Sequence, residues 1–314
     1  MTPTKILVTG GAGFIGSHVV DRLLELGHNV AVVDNLASGS AANLSPAATL
    51  FETDISGLAL DDVLRAERPE VVCHYAAQIS VTHSMRDPVA DASTNILGSL
   101  NLLQSCVRNG VRKVVYTSSG GAIYGEPQYL PCDEDHPVQP LSYYGASKYA
   151  VEKYLYVYRQ AHGLDYTALR LGNVYGPRQD PTGEAGVVAI FAQAMLEGRP
   201  ITIFGTGEQE RDFVYVRDVA EASVAALERG DGEAYNIGTG AGTSINRIYA
   251  LLKEGAGYSE EASYGPARPG DVFRIYLDIA RAREGLGWEP RYTLEDGLRE
   301  TVQWFRGGGG KGNE

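Results

Sequence analysis

The sequence predicts an α/β protein: a doubly wound parallel-sheet domain of the Rossmann type, followed by a smaller C-terminal α/β lobe. Through the first half of the chain, short runs of β-branched residues alternate with helical patterns. A glycine cluster follows the first run, and after Leu171 glycine and proline become frequent while the elements shorten. Strands that alternate with helices pair in parallel, because each crossover helix returns the chain to the same end of the sheet.

Six strands and four helices are predicted in chain order. Strand-length apolar runs occupy residues 5–10, 29–34, 49–54, 71–77, 112–119 and 165–171, and longer helical patterns occupy 14–27, 58–69, 93–110 and 147–163. Strands buried in a parallel sheet are short and almost continuously apolar, whereas helices carry apolar residues three or four positions apart. We therefore predict one domain over residues 1–171 and a second lobe over 172–306, between which the chain is able to cross back. The glycine-rich tail, 307–314, is predicted to be disordered.

Composition excludes several classes of function. The 314 residues carry a net charge of −12, with 27 Lys and Arg against 39 Asp and Glu, so a general phosphate-neutralising surface for nucleic acid is not expected. No apolar run approaches the ~18 residues that span a bilayer, and no leader pattern begins the chain. Cys73, Cys106 and Cys132 lie far apart without a CxxC pair, which predicts neither a metal site nor disulfides and fits a reducing cytoplasm.

The first candidate site is the glycine cluster that follows the first strand. Residues 10–16 read GGAGFIG, with glycines at 10, 11, 13 and 16. Between a strand and a helix, such glycines let the backbone turn tightly and approach a pyrophosphate, while the helix N-terminus offers free N–H groups and a partial positive charge. The alternative is a structural turn that binds nothing.

Two aspartates end the following strands. Asp34 lies 18 residues after Gly16, close to the ~20 at which a dinucleotide site places an acid on the ribose hydroxyls. A carboxylate there would repel a 2′-phosphate, so NAD is favoured over NADP. Asp54 ends the third strand and could bond the adenine amine. A surface turn at Asp34 and a capping or loop role for Asp54 remain open.

The candidate chemical centre is the stretch LSYYGASK, residues 141–148. Only Tyr144 has a lysine four positions later, Lys148, and residues four apart share one face of a helix. A nearby lysine charge favours the phenolate and lowers the tyrosine pKa, and an oxidised nicotinamide would add a second positive charge, so we expect Tyr144 to be a general base near neutral pH. Alternatively, Tyr143 and Tyr144 are packing residues at the start of a tyrosine-rich helix.

Two serines end the fifth predicted strand, in TSSGGAIYG, residues 117–125. Ligands of open α/β sheets gather beyond the carboxyl ends of the strands. We therefore expect the hydroxyls of Ser118 and Ser119 to face a substrate, unless both are ordinary turn serines.

Together these motifs identify a family. GGAGFIG, HYAAQ (74–78), TSSGGAIYG, YGASK, NVYGPRQ (173–179), RDFVYVRDVA (211–220), YNIGTG (235–240) and RPGD (268–271) resemble the extended short-chain dehydrogenase/reductase family, from about Lys5 to Arg306. The similarity is strongest to members that invert C4 of UDP-sugars. Members that dehydrate their substrate carry acids where this chain has Ser119-Gly120-Gly121, and no acid occurs between Thr117 and Gly125.

The resemblance implies that NAD is tightly bound and that UDP-glucose and UDP-galactose are the substrates. It also implies a transient 4-keto sugar: a proton and a hydride are removed from the sugar, the keto sugar rotates, and both are returned to its other face. It implies that Tyr144, Lys148 and Ser119 are catalytic. The implied cofactor positions are Gly10, Gly13, Phe14, Ile15, Gly16, Asp34, Asn35, Ser38, Gly39, Asp54, Ile55, Ala76, Ala77, Gln78, Asn95, Ser118, Tyr144, Lys148 and Leu171. The implied nucleotide-sugar positions are Ser119, Gly120, Gly121, Tyr144, Asn173, Val187, Val188, Thr202, Phe204, Arg211, Arg268 and Asp271.

The resemblance leaves the sugar open. Tyr143 occupies a position that is usually proline, and Ile275 one that is a large tyrosine in members restricted to plain hexoses, so some tolerance for N-acetylated sugars is expected. UDP-glucuronate and UDP-N-acetylglucosamine are the alternative substrates, and a non-catalytic NAD-binding sensor is a further alternative. A homodimer is implied through a four-helix bundle of helices 93–110 and 147–163, to which Leu100, Leu103, Leu155 and Tyr158 contribute unless they serve the internal sheet.

Overall fold

A computed structural model describes residues 3–182, 186–267 and 272–309. The strands are β1 Lys5–Thr9, β2 Asn29–Asp34, β3 Thr49–Glu52, β4 Val71–His74, β5 Lys113–Ser119, β6 Asp165–Leu171, β7 Asn173–Tyr175, β8 Thr202–Phe204, β9 Glu210–Arg211, β10 Phe213–Tyr215, β11 Glu233–Ile237, β12 Thr243–Ser244, β13 Ser263–Gly265 and β14 Arg274–Ile275. The helices are α1 Phe14–Glu25, α2 Ala59–Glu67, α3 Val81–Arg86, α4 Pro88–Ala92, α5 Ser99–Arg108, α6 Gly120–Ile123, α7 Tyr143–His162, α8 Val187–Leu196, α9 Val216–Ala225, α10 Ile245–Ala256, α11 Ala280–Leu286 and α12 Leu294–Arg306.

The six predicted strands and β11 form one parallel sheet in the order β11-β6-β5-β4-β1-β2-β3. The strand order reverses between β1 and β4, and ligands of doubly wound folds bind outside the carboxyl ends of the strands at such a switch point. Thr9 pairs with His74 and Ser119 with Leu171, so the ends of β1, β4, β5 and β6 meet at one edge. The glycine cluster and the serines therefore face the same crevice.

The chain returns to this sheet after it has entered the second lobe. β11 pairs with β6 at the sheet edge, and α9 packs on α1. The second lobe has its own apolar core, formed mainly by α8, α10 and α12. The chain thus crosses back from the second lobe to the first domain, whereas the division into functional domains at residue 171 stays a prediction.

Several predicted boundaries are wrong. Helix α7 begins at Tyr143 rather than at residue 147, because the Ser142 hydroxyl accepts the Gly145 N–H at 3.1 Å and caps the first turn. The predicted helix 93–110 is a π-helical segment, Ser93–Gly98, that continues into α5. β3 and β4 end two and three residues early, which leaves Asp54 in a loop. Of the tail predicted to be disordered, residues 307–309 form a turn and 310–314 lie outside the described residues.

Two of the leucines expected at a dimer interface belong to the core instead. Leu103 and Leu155 are 1% exposed and pack in the cluster between the sheet and the helices on that face. They serve the internal sheet, which was the alternative left open by the sequence. Among the described residues, the helices are too short or too polar for any of them to cross a membrane.

Candidate active site

The loop between β1 and α1 is a cradle of backbone. Gly10 has φ +67°, and a Cβ there would lie 2.5 Å from the Ala76 nitrogen at the end of β4. A Cβ on Gly16 would lie 2.1 Å from the Gly10 carbonyl oxygen. Gly13, at the N-cap of α1, offers no side chain to the first N–H groups of the helix. Glycine is therefore required by steric contact, and the open helix terminus fits a pyrophosphate.

Asp34 ends β2 and is buried beside this cradle. Its Oδ2 accepts the Ala12 N–H at 2.9 Å and its Oδ1 accepts the Leu36 N–H at 2.8 Å. The carboxylate therefore holds the glycine loop and the turn that follows β2. A carboxylate has about four acceptor sites, so these two bonds leave capacity for ribose hydroxyls.

Asp54 has the loop-capping role that the sequence left open, whereas its bond to the adenine amine stays a prediction. Its Oδ1 accepts the Ser56 N–H at 2.7 Å, which is a loop-capping contact, and its Oδ2 accepts the Asn35 side-chain N–H at 2.7 Å. Burial raises the pKa of Asp54, but these hydrogen bonds outweigh burial and the pKa lies below its ordinary value. A second predicted cofactor residue, Asn35, is thereby fixed next to it.

The remaining predicted cofactor positions lie along the same crevice. Gly39 packs against the backbone of Ala12 and Gly13, and the Ile55 carbonyl accepts the Asn101 amide at 2.7 Å. Phe14 and Ile15 begin α1, Leu171 ends β6, Ala76 and Ala77 follow β4, and Ser38 is exposed in the loop after β2. Together with the cradle and Asp34, these positions fit a dinucleotide extended along the carboxyl edge.

The chemical centre lies at the start of α7. Tyr144 and Lys148 are one turn apart on this helix, and Ser119 at the end of β5 is close enough to Tyr144 for its hydroxyl to lower the pKa of the phenol. Lys148 is 4% exposed, and its ammonium nitrogen lies 4.7 Å from the centre of the Tyr116 ring. The structure thus brings together Ser119, Tyr144 and Lys148, as the sequence predicts.

The direction of the tyrosine pKa differs from the sequence-based expectation. Burial raises the pKa of Tyr144 to about 12; the bond to Ser119 lowers it and the charge of Asp91 raises it. Burial also lowers the pKa of Lys148 to about 7, against the carboxylates of Glu152 and Asp91, which raise it. Desolvation disfavours the charged form of both groups, so the isolated protein holds a neutral phenol at neutral pH.

Ser118 departs from the expectation that both serine hydroxyls meet a substrate. It is 2% exposed, and its hydroxyl donates to Glu152 in the interior. Successive side chains of a strand point to opposite faces, so Ser119 faces the crevice and Ser118 faces α7. Glu152 is in turn paired with Arg170 on β6, at 2.8 Å.

An amide network closes the site on the side of α4. The Asn95 amide of the π-helical segment donates to Asp91 Oδ1 at 3.1 Å and to Ser147 Oγ at 3.1 Å. Gln78 donates to the same Asp91 oxygen at 2.8 Å, and its backbone N–H donates to Asn95 Oδ1 at 2.8 Å. The side chains of Gln78 and Asn95, both predicted cofactor positions, therefore bind protein groups and order the wall of the crevice.

The predicted nucleotide-sugar positions divide into three groups. Gly120, Gly121 and Asn173 lie beside Ser119, and a Cβ on Gly121 would lie 3.5 Å from the Asn173 side-chain oxygen. Val187, Thr202 and Phe204 present partly or largely exposed side chains on the second lobe, whereas Val188 is buried in the core of that lobe. Arg268 and Asp271 lie outside the described residues.

Arg211 and its neighbour Asp212 make different contacts. The Arg211 guanidinium donates to the Glu210 carbonyl oxygen at 2.8 Å. Asp212 is buried and accepts N–H groups from Thr239 at 2.7 Å and from Leu277 at 3.2 Å. Ile275 is paired with Arg211 in register across β14 and β9. The carboxylate of Asp212 is thus used to hold main-chain groups of the second lobe.

Sequence reasoning missed three charged residues around this centre. Asp91, Glu152 and Arg170 are at most 5% exposed. Two sequence signals were available: Glu152 lies four residues after Lys148, and Asp91 four residues before Asn95. Helical spacing would have placed each beside its neighbour, but no local pattern connects Arg170 to either.

Comparisons with known proteins agree with this geometry. A model of the NAD dependent epimerase/dehydratase family matches residues 6–238. The UDP-glucose 4-epimerase of Mycolicibacterium smegmatis is 47% identical over 308 residues, which cover 96% of this chain and 98% of that protein. The solved UDP-glucose 4-epimerase of Thermotoga maritima with UDP-glucose has a TM-score of 0.95 and 52% identity, covering 97% of this chain and 99% of that one. The Thermus thermophilus UDP-glucose 4-epimerase complex with NAD has a TM-score of 0.92 and 47% identity, covering 96% and 99%.

Proposed function

The chain belongs to the NAD dependent epimerase/dehydratase family, and from that premise we propose that it is an isomerase that interconverts UDP-glucose and UDP-galactose. The observation that carries the proposal is the joining of Ser119, Tyr144 and Lys148 at the carboxyl edge of the sheet. Dehydration of the sugar would need a general acid next to Ser119, and residues 117–125 contain none.

The cofactor would be held by the cradle of Gly10, Gly13 and Gly16, by Asp34 on the ribose, and by Lys148 near the chemical centre. When bound, NAD supplies the reversible oxidation of the sugar at C4. Because the same cofactor is regenerated in each turnover, no second substrate is required. A sensor without catalysis is disfavoured, since such a protein has no need of a partly buried Tyr144 one helical turn from a buried Lys148.

Proton movement falls to Tyr144. Its phenol is neutral in the isolated protein, so the positive charge that arrives with an oxidised nicotinamide must help Lys148 to favour the phenolate. The phenolate then takes the proton of the sugar 4-hydroxyl, and Ser119 orients or relays it. When the 4-keto sugar has rotated and presents its other face to the cofactor site, Tyr144 returns the proton and the configuration at C4 is inverted.

Rotation of the keto sugar requires that the nucleotide is bound tightly while the sugar is bound weakly. Arg211 is suited to the diphosphate, because its side chain is partly exposed on the second lobe and a guanidinium forks onto phosphate oxygens. Phe204 is 40% exposed and could cover the uracil ring. Gly121 is exposed and leaves room beside Ser119 for the sugar to rotate, whereas Gly120 is buried and a Cβ there would lie 2.7 Å from the Leu277 side chain.

Replacing Tyr144 with Phe tests the proposal. Removal of the proposed general base should lower turnover of UDP-galactose by roughly 10²–10⁴-fold, while NAD released from denatured protein stays equimolar. Tyr154→Phe is the matched control, since Tyr154 lies on the same helix and is 40% exposed. If Tyr144→Phe retained full activity while the control behaved normally, the proposed chemistry would be wrong.

A second candidate substrate follows from Ile275. Isoleucine at this position is smaller than the tyrosine of members restricted to plain hexoses, so we propose additional turnover of UDP-N-acetylglucosamine. Product analysis with UDP-glucose, UDP-N-acetylglucosamine and UDP-glucuronate distinguishes the three sugars. Complete absence of activity on UDP-N-acetylglucosamine would remove the second candidate and leave the first intact.

The oligomeric state is proposed on the same family premise. Leu97 is 60% exposed, and on α7 Tyr156 and Val157 are 55% and 53% exposed. Apolar side chains on adjacent helices form a surface suited to a second copy of the chain, and sedimentation of Leu97→Glu/Val157→Glu against the native protein tests it. A cytoplasmic location stays a prediction from cysteine usage.

A further inference from the structure

Asp91 on α4 is a buried carboxylate to which the proposed reaction assigns no role. It is 1% exposed. Its Oδ1 accepts amide N–H groups from Gln78 at 2.8 Å and Asn95 at 3.1 Å. Its Oδ2 is buried and has no hydrogen-bond partner among the residues that the structure describes. A buried carboxylate with one unpartnered oxygen is costly, so it is expected to serve a purpose that offsets this cost.

Lys148 is a buried cation that needs an opposite charge nearby. Its ammonium lies under a nearly complete cover of protein, and the face of the Tyr116 ring lies next to it at 4.7 Å. A buried ammonium costs several kcal/mol unless an opposite charge compensates it. The carboxylates of Glu152 and Asp91 are the two that raise the pKa of Lys148.

Glu152 is already neutralised by another cation. Arg170 donates from Nη2 to Glu152 Oε2 at 2.8 Å and from Nε to Oε1 at 3.2 Å, and both side chains are 6% exposed. A second cation close to such a pair is attracted by the glutamate but repelled by the arginine, so the arginine offsets part of the attraction. Glu152 is thus shared between two cations, although it still raises the pKa of Lys148 more than Asp91 does.

Asp91 carries the uncompensated negative charge. Its hydrogen-bond donors are the neutral amides of Gln78 and Asn95, and in the described part of the chain no Arg or Lys forms an ion pair with it. The Asn95 amide also donates to Ser147 Oγ at 3.1 Å, the residue before Lys148. The Asn95 side chain thus links the Asp91 carboxylate by hydrogen bonds to the turn of α7 that carries Lys148.

We propose that Asp91 is the counter-ion of Lys148, acting through space without a direct ion pair, and a positioning residue for the proposed epimerisation. Its charge keeps the lysine protonated inside the protein. The same charge opposes the phenolate of Tyr144, so the tyrosine stays neutral until the cofactor's positive charge is present. The catalytic consequence rests on the proposed function, whereas the charge pairing does not.

Apart from Glu152, the other charged and titratable groups around Lys148 do not substitute for Asp91. Tyr144 and Glu152 lie on its own helix, Tyr116 on β5, His74 on β4, and Arg170 beyond Glu152 on β6. Burial and the charge of Lys148 lower the pKa of His74 to about 3, and burial raises the pKa of Tyr116 well above its ordinary value. On α3, His83 and Arg86 are exposed. Near neutral pH, Lys148 is therefore the group whose charge depends on Asp91.

Asp91→Asn keeps the size and an acceptor oxygen but removes the charge. The pKa of Lys148 should then fall, because its ammonium loses an attraction, and the pKa of Tyr144 should fall as well, because its phenolate loses a repulsion. The matched control is Asp87→Asn: Asp87 is exposed and caps the same helix by accepting the Ala90 N–H at 2.9 Å, a role that asparagine also performs.

The first measurement needs no turnover. The chain has six lysines, so a protein labelled with ¹³C at lysine Cε gives few signals, and comparison with Lys148→Met assigns the one wanted. In the cofactor-free protein, the titration midpoint of Lys148 should fall by about one pH unit or more in Asp91→Asn and remain unchanged in Asp87→Asn. An unchanged midpoint in Asp91→Asn would overturn the proposal, even if the enzyme proved to have another activity.

The second measurement is the pH profile of kcat for UDP-galactose. Both the acid and the alkaline limb of this profile should move to lower pH in Asp91→Asn, and kcat on the alkaline side should fall roughly tenfold. A residue that only packs would lower kcat without moving either limb, and that result would contradict a positioning role. If neither variant nor native protein epimerises the sugar while the lysine midpoint still shifts, the proposed function fails and the counter-ion assignment stands.

A thermal-stability cycle covers the case in which Asp91→Asn does not fold alone. Lys148→Met leaves the Asp91 charge uncompensated, and Asp91→Asn leaves the Lys148 charge uncompensated. The double variant removes both charges and should melt at a higher temperature than the less stable single variant. Additive losses of melting temperature would show that the two side chains are not a pair.

Discussion

The two ends of the crevice are built on opposite principles. The cofactor end consists of backbone in close contact: the loop of Gly10, Gly13 and Gly16 lies against itself and against β4, with Asp34 holding it by main-chain N–H groups. The chemical end consists of buried side chains, with Lys148, Asp91 and the Glu152–Arg170 pair within one polar cluster. The first depends on the absence of Cβ atoms, and the second depends on a balance of charge. Substitutions that add an atom should therefore act mainly at the cofactor end, and substitutions that remove a charge should act mainly at the chemical end.

The largest effect on stability is expected where a charge is removed at the chemical end. Glu152→Gln leaves the Arg170 guanidinium buried without its counter-ion and should lower the free energy of unfolding by roughly 3–5 kcal/mol, as measured by urea denaturation. Glu295→Gln is the control, because its pair with Arg247 is more than half exposed and should contribute less than ~1 kcal/mol. Equal losses in the two variants would contradict the role of burial.

An intermediate effect is expected where an atom is added at the cofactor end. The new Cβ in Gly16→Ala would lie 2.1 Å from the Gly10 carbonyl oxygen, so the loop must shift. We expect a loss of about 1–3 kcal/mol of stability together with much weaker NAD binding by calorimetry. In the control Gly255→Ala, on α10, the new Cβ would lie 3.9 Å from the Val302 side chain, and exchange of an exposed helical glycine should stabilise by roughly 0.5–1 kcal/mol. Unimpaired NAD binding by Gly16→Ala would refute the steric account.

The smallest effect concerns pH and the histidine behind the chemical end. His74 is buried between Thr9 and Ser99, with ring nitrogens 2.7 Å and 2.9 Å from their hydroxyls, and its pKa is lowered to about 3. The unfolded chain binds this proton near pH 6.5 and the folded protein does not, so stability should fall as pH decreases from about 6.5 toward 3. His74→Gln should reduce the slope by about 1 kcal/mol per pH unit, and exposed His83→Gln should leave the slope unchanged. Identical slopes in all three proteins would exclude this source of acid sensitivity.

Prediction from sequence succeeded where neighbours along the chain are neighbours in space. The glycine cluster between a strand and a helix placed the cradle, and the four-residue spacing placed Tyr144 next to Lys148. The helix start was misplaced by four residues because the cap at Ser142 was overlooked. Ser118 was assigned to the crevice because strand alternation was not applied to adjacent serines.

What the sequence by itself determined is local: the alternation that yields the parallel sheet, the glycines that only a close backbone approach requires, and the spacing of the tyrosine and lysine. What only the tertiary structure decided is the electrostatic state of that pair. Asp91, the proposed counter-ion of Lys148, lies on a helix more than 50 positions earlier in the chain, and Arg170 neutralises Glu152 of α7 from strand β6. Burial and distant charges set the pKa of a side chain, and these exist only once the chain has folded, so no local pattern could have predicted a neutral phenol beside a compensated lysine.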